Sequence, residues 1–129
     1  MTSFYTDKTV AVTGGLGLIG SFLCEELLDL GARIVLINPS MRPDETLARH
    51  TGRYRNAASG EETVLTAEDV RALKAHRVEP CNPTVPTLVL LDADDEVLDY
   101  RRAETALRGC GRTIVYPGGS HRFEHLAEA

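Results

Sequence analysis

The stretch from Thr9 to Leu30 constrains this chain more than any other: Thr9-Val10-Ala11-Val12-Thr13, then Gly14-Gly15-Leu16-Gly17, then an apolar run from Leu18 to Leu30 closed by Gly31. A short β-branched run that ends in glycines reads as a buried strand and its turn, and the run after it as a helix lying on the sheet. Glycine just past the last apolar residue stops a helix, because it enters the left-handed conformation without strain. Arg33 to Ile37 is a second continuous apolar run. Two buried strands joined by a helix run parallel with a right-handed crossover. The chain therefore opens with a βαβ unit.

The remaining pattern extends that unit. Asn38, Pro39 and Pro43 break the chain, Asp44 is placed to cap a short helix ending at Gly52, and Arg53 to Glu62 reads as loop. Thr66 and Asp69 form an acidic variant of the capping box, which predicts a helix over Ala67 to His76 with Val70 and Leu73 facing inward. Pro80, Pro83 and Pro86 end it. Thr87 to Leu91 and Arg112 to Tyr116 are the expected third and fourth strands, with a helix over Arg101 to Arg108 between them and a last helix opening at Phe123. Strands alternating with helices predict an α/β fold: a single-domain three-layer sandwich around a mostly parallel sheet of about four strands. Functional groups then collect in loops beyond the carboxyl ends of the strands. With 129 residues there is room for one core but not for a separate substrate domain.

Composition removes several classes of function. The net charge is -5 and Lys and Arg form no cluster, which argues against a nucleic-acid partner. Apolar runs such as Leu88 to Leu91 fall far short of the ~20 residues that span a bilayer, and the N-terminus has no signal pattern. A cytoplasmic protein without a membrane partner is expected. Cys24, Cys81 and Cys110 are odd in number and widely spaced, so buried reduced thiols are the expectation.

Gly14-x-x-Gly17-x-x-Gly20 sits directly between a strand and a helix, the context a glycine fingerprint requires. Glycines admit the tight turn, their missing Cβ lets a phosphate approach, and the helix N-terminus supplies free N–H groups. The candidate cradle is Gly14, Gly15, Leu16, Gly17, Leu18, Ile19 and Gly20. The same glycines serve equally well to permit a tight turn and close helix packing. From Lys8 to Ile37 the sequence resembles the Rossmann opening of the extended short-chain dehydrogenase/reductase family, the nucleotide-sugar epimerases and their relatives. That resemblance implies NAD(P) on the glycines and an acidic residue at the end of the second strand holding the ribose. Asn38 stands there instead, and a neutral amide grips two hydroxyls less well than a carboxylate. Cofactor binding is therefore expected to be weak. The family's Tyr-x-x-x-Lys is also absent, since Tyr5, Tyr54, Tyr100 and Tyr116 have no Lys four residues on, which excludes oxidoreductase activity.

From Asn38 to the C-terminus the chain resembles the small YqiA-like α/β-hydrolase esterases. The similarity is carried by Asn38-Pro39-x-x-Arg42-Pro43, Thr51-Gly52, Ser59-Gly60-Glu61, Asp95-Glu96-Val97-Leu98-Asp99-Tyr100-Arg101 and Gly118-Gly119-x-His121-x-Phe123. It implies that Asp95 and His121 are the acid and histidine of a Ser-His-Asp triad, and both follow carboxyl ends of adjacent expected strands. The nucleophile of such enzymes sits in Gly-x-Ser-x-Gly on a strand-to-helix elbow. Superposing the two strand–turn–helix segments puts Gly15 where serine should be.

Two resemblances that meet near Ile37 suggest an engineered or recombined chimera: a Rossmann-like segment over residues 1–37 and a hydrolase-like segment over 38–129, with no complete active site. At most it would bind a phosphate-bearing nucleotide weakly. The alternatives are an NAD(P)-binding module, or an esterase or thioesterase that uses Asp95 and His121 with an unusual nucleophile. Without the hydrolase N-terminal strands, a sheet edge at the first or second strand is left open, a surface suited to a homodimer.

No metal site is expected. Asp92, Asp94, Asp95, Glu96 and Asp99 lack the order of a calcium loop and read as a solvated acidic turn. His121 and His125 are spaced for one helix face, but the order is not His-Glu-x-x-His and no third ligand is evident. Ser21 and Cys24 fall within the first helix, away from the elbow.

Overall fold

The computed structural model describes residues 2–14, 18–76 and 87–129. In chain order the elements begin with β1 (Thr9–Thr13), α1 (Leu18–Asp29), β2 (Arg33–Ile37), α2 (Pro43–Leu47) and β3 (Gly52–Arg55). They continue with β4 (Glu62–Leu65), α3 (Ala67–Ala72), β5 (Thr87–Asp92), α4 (Tyr100–Ala106) and β6 (Gly111–Tyr116). Gly15, Leu16 and Gly17, the prolines Pro80, Pro83 and Pro86, and Cys81 lie outside the described residues.

The opening βαβ unit forms with the predicted elements, but β1 is not the buried strand expected: it lies at the sheet edge and only Val12 of its residues is buried. α1 stops because Gly31 takes φ +83, which lets its N–H bond the Leu28 carbonyl at 2.8 Å and the Ala32 N–H bond the Leu27 carbonyl at 2.9 Å. Two carbonyls of the last helical turn are thereby satisfied. β1 then pairs parallel with β2, Thr9 opposite Arg33 through Thr13 opposite Ile37.

The chain divides into two compact units, Met1–Met41 with Val78–Ala129, and Arg42–Arg77. The first carries a four-stranded sheet in the order β1-β2-β5-β6, parallel at every pairing. This is the expected α/β architecture. β2 lies inside the sheet between β1 and β5, so the open edge anticipated at the first or second strand belongs to β1.

Alternation along the strands divides the apolar side chains between two faces. On one, Val12, Ile34, Leu36, Val89 and Leu91 pack with Cys24 and Leu27 of α1, Ala103 of α4 and the C-cap residue Leu107. Val89 and Leu91 are 0% and 1% exposed, and burying a side chain of this size stabilises by roughly 1.5–3 kcal/mol. On the other face Ile37 and Leu90 meet Phe123, with Val35, Leu88, Ile114 and Tyr116 half-buried beside them. Gly111 opens β6 opposite Thr87, where an added Cβ would stand 1.9 Å from the Thr87 carbonyl oxygen.

The second unit departs further from expectation. α2 begins at Pro43, whose fixed φ suits the first helical position, with Arg42 as N-cap; Asp44 is buried inside the helix instead of capping it. Gly52 opens β3 rather than ending a helix, and β3 pairs antiparallel with β4. Between them Asn56 Oδ1 accepts from the N–H groups of Ala58 and Ser59 at 2.9 and 3.2 Å, a turn that closes the hairpin. The Thr66/Asp69 capping box is present: the Asp69 N–H donates to Thr66 Oγ1 at 3.1 Å and the Thr66 N–H to Asp69 Oδ2 at 2.8 Å. α3 then tightens into a 3₁₀ turn over Leu73–His76.

Cys110 is disulfide-bonded, which corrects the expectation of a reduced thiol there. Cys24 is a buried thiol outside any disulfide, and that burial pushes its pKa up. No helix among the described residues is long and apolar enough to cross a membrane.

Candidate active site

β5 and β6 stay in register to their last residues, Asp92 opposite Tyr116. Beyond them the Ala93 N–H bonds the Tyr116 carbonyl at 2.9 Å and the Asp94 N–H the Gly118 carbonyl at 3.1 Å, so the two loops leave the sheet side by side. This brings Asp95 and His121 together. Asp95 Oδ1 accepts from the N–H groups of Val97 and Leu98, both at 2.8 Å, which fixes a carboxylate whose side chain is 2% exposed. Its Oδ2 lies 2.9 Å from His121 Nδ1. A carboxylate offers only lone pairs, so Nδ1 carries the proton and Nε2 is left as the acceptor. That is the tautomer a general base needs. The His121 N–H is held in turn by Glu96 Oε2 at 3.0 Å, a bond that lowers the Glu96 pKa.

A second imidazole–carboxylate pair, not anticipated from sequence, stands beside the first. Asp92 is fully buried, and its Oδ1 is 2.7 Å from Nδ1 of His125. Its Oδ2 accepts from the Ser120 N–H at 3.1 Å and the Glu124 N–H at 2.9 Å. Burial pushes this carboxyl upward, but the bonds from Glu124, His125 and Ser120 outweigh it and hold the pKa below the ordinary value. His125 is raised, chiefly by its bond to Asp92, with the charges of Asp92, Glu128 and Glu124 assisting. Its ring stacks on Tyr116, centroids 4.9 Å apart and 9° between planes, while Phe123 meets Tyr116 edge-on at 5.8 Å.

These contacts explain why no helix opens at Phe123. Phe123 takes φ +61 and the following residues form turns, since the Glu124 N–H and the His125 imidazole are both drawn to Asp92. His121 and His125 therefore do not share a helix face. Gly119 makes the approach possible: at φ +80, an added Cβ would stand 2.0 Å from Asp92 Oδ2. The sequence signal for Asp92 is a carboxylate directly after the apolar run Leu88 to Leu91, which marks a strand end facing the site.

Asn38 also belongs to this assembly. It follows β2 directly at φ +40, is 5% exposed, and donates from Nδ2 to the carbonyls of Ser120 and His121 at 3.1 and 3.4 Å. Its Oδ1 accepts the Asp92 N–H at 2.9 Å. Both ends of the amide are thus spent inside the protein, which corrects the expectation that Asn38 faces a ribose. Asp99 of the acidic loop is likewise committed, capping α4 through the Arg101 N–H at 3.1 Å. Among the described residues no group of His, Cys, Asp and Glu is arranged to hold a metal ion.

The Asp92–His125 pair has a pH signature. A raised imidazole contributes stability that is complete below its ordinary value of 6.5 and lost as pH climbs through the higher folded value; a lowered carboxyl contributes above 3.8 and is lost as pH falls through the lower folded value. Thermal melts across pH are expected to show a maximum between those limits. The decline on the alkaline side should flatten in His125→Asn.

Residues 4–129 match the family described as Uncharacterised protein family (UPF0227). The chain belongs to this family. The UPF0227 match crosses Ile37 and Asn38 without a break, which overturns the expectation of a chimera: the first βαβ unit and the hydrolase-like remainder are one family sequence. A short strand running through glycines into a helix is common to Rossmann turns and hydrolase elbows, so the sequence pattern alone does not separate them. Two structures of Est1E from Butyrivibrio proteoclasticus are similar in fold. The one with ferulic acid bound has TM-score 0.65 and 20% identity over 95% of this chain and 55% of that one. The other has TM-score 0.64 and 19% identity over 95% and 56%. A putative hydrolase from Agrobacterium vitis matches at TM-score 0.50 and 18% identity over 89% and 55%. This UPF0227 chain thus spans about 55% of the length of the hydrolases it resembles, and neither comparison points to a dehydrogenase.

Proposed function

We propose that this chain carries the proton-transfer part of an esterase-type α/β-hydrolase site and acts on carboxylic esters or thioesters. The observation that carries the reading is the His121–Asp95 pair, 2.9 Å apart with the carboxylate shielded from water and the ring 42% exposed. Membership of UPF0227 and the fold shared with Est1E support it.

With glycine at position 15, the attacking oxygen is that of water. His121 Nε2 takes a proton from the water as its oxygen bonds to the acyl carbon, and returns it to the alkoxide or thiolate as the ester or thioester bond breaks. Asp95 keeps the imidazole in the required tautomer and stabilises the imidazolium between these two transfers. Hydrolysis of 4-nitrophenyl acetate is expected to fall about 100-fold in His121→Ala, the lower end of what general acid–base catalysis supplies. Equal rates for the two proteins would discard the reading.

A further inference from the structure

We propose that His125 is a positioning residue for His121: pinned to the buried carboxylate of Asp92, it holds the loop from Gly118 to His125 in the shape that brings His121 against Asp95. The proposal rests on the esterase reading of His121. Three anchors converge on this loop. Asn38 holds it by the carbonyls of Ser120 and His121, Glu96 by the His121 N–H, and Asp92 by the N–H groups of Ser120 and Glu124. The first two grip only the start of the loop. Asp92 alone reaches both sides of His121, at Ser120 and at Glu124, and His125 is the side chain that completes it.

Among the described residues Asp92 has no lysine or arginine partner. Its acceptors are filled by backbone N–H groups and by the His125 imidazole, whose ring lies flat on Tyr116. Removing that donor leaves Oδ1 of a fully buried carboxylate short of a partner, and a buried carboxylate in that state is costly. It is expected to turn toward water or toward another donor, and the Ser120 and Glu124 N–H bonds move with it. His121 lies between those two bonds.

The donor and the ring can be separated by substitution. His125→Asn keeps an N–H where Nδ1 stands and loses the ring; His125→Phe keeps the ring on Tyr116 and loses the N–H; His125→Ala loses both. Each full-length protein is assayed for kcat and KM with 4-nitrophenyl acetate, and for the downfield Nδ1–H proton resonance of the carboxylate-bound His121 imidazole. Asn is expected to stay within about threefold of wild-type kcat and to retain the His121 resonance. Phe and Ala are expected to lose about tenfold in kcat at unchanged KM, with the resonance broadened by solvent exchange. Wild-type kcat and resonance in a folded Phe variant would overturn the proposal, as would loss of both in Asn with retention in Phe, since that order reports ring packing. If Ala does not fold, the contrast between Asn and Phe decides alone. If wild-type hydrolysis does not depend on His121, the esterase reading falls, and the resonance still decides whether His125 sets the loop.

Discussion

Combining Thr13→Gly with Gly15→Ser is expected to convert the chain into one that takes up a single covalent label from a serine-directed fluorophosphonate, which the wild-type chain does not. The two changes rebuild Gly-x-Ser-x-Gly between the end of β1 at Thr13 and the start of α1 at Leu18. Thr13 ends the row that runs through Ile37 and Leu90 to Ile114 at the carboxyl side of the sheet, the side from which the loops of Asp95 and His121 leave. A serine raised on that turn becomes reactive only if an imidazole takes its proton. Adding His121→Ala is therefore expected to slow labelling about 100-fold. The new strand glycine costs about 0.5–1 kcal/mol, which a small domain tolerates. Intact-mass spectrometry reads the outcome. A folded double variant that stays unlabelled shows that position 15 does not correspond to the hydrolase nucleophile.

Asp92→Ala is expected to remove about 3–5 kcal/mol of stability in urea unfolding, a large fraction of the 5–15 kcal/mol typical of a domain. The substitution strips the acceptor from the Ser120 and Glu124 N–H groups and from His125 at once. Each partly buried donor left unmatched costs about 1–3 kcal/mol. Alanine also opens a void beneath Gly119, whose backbone lies against this carboxylate. Asp92→Asn should be milder, because its amide oxygen still accepts. A loss under about 1 kcal/mol in Asp92→Ala would mean that the loop holds its shape without this anchor.

What could be read from the sequence divides along physical lines. The four parallel strands were legible because each carries a run of β-branched and apolar residues, and α1 and α3 because Gly31 and the Thr66/Asp69 box mark their ends. The β3–β4 hairpin was not, since nearly every one of its residues is exposed and no alternation betrays it. Asp95 and His121 could be named as a pair through a family resemblance, yet spacing gave no hint that Asp92 and Asn38 reach across 28 and 83 residues to hold the same loop. Asp92 looked like one more acid in a solvated turn. The extension of β5 by a single residue puts it under the sheet's last row, and burial at a strand end is a property of register that a linear pattern does not display. The glycine-rich loop misled for the opposite reason: its pattern is strong, but two kinds of enzyme use it.

The order of the strands has one more consequence. Asp95 and His121 follow the two strands of a single crossover, β5-α4-β6, while position 15 follows β1 at the sheet's edge, with β2 between. On the esterase reading, proton transfer and covalent attack are thus assigned to separate stretches of backbone that are not bonded to each other directly but only through β2. On that reading, a change at the edge strand can remove the second capacity and leave the first, so that a chain without an elbow serine still offers the imidazole to water, or to a hydroxyl brought by the substrate itself.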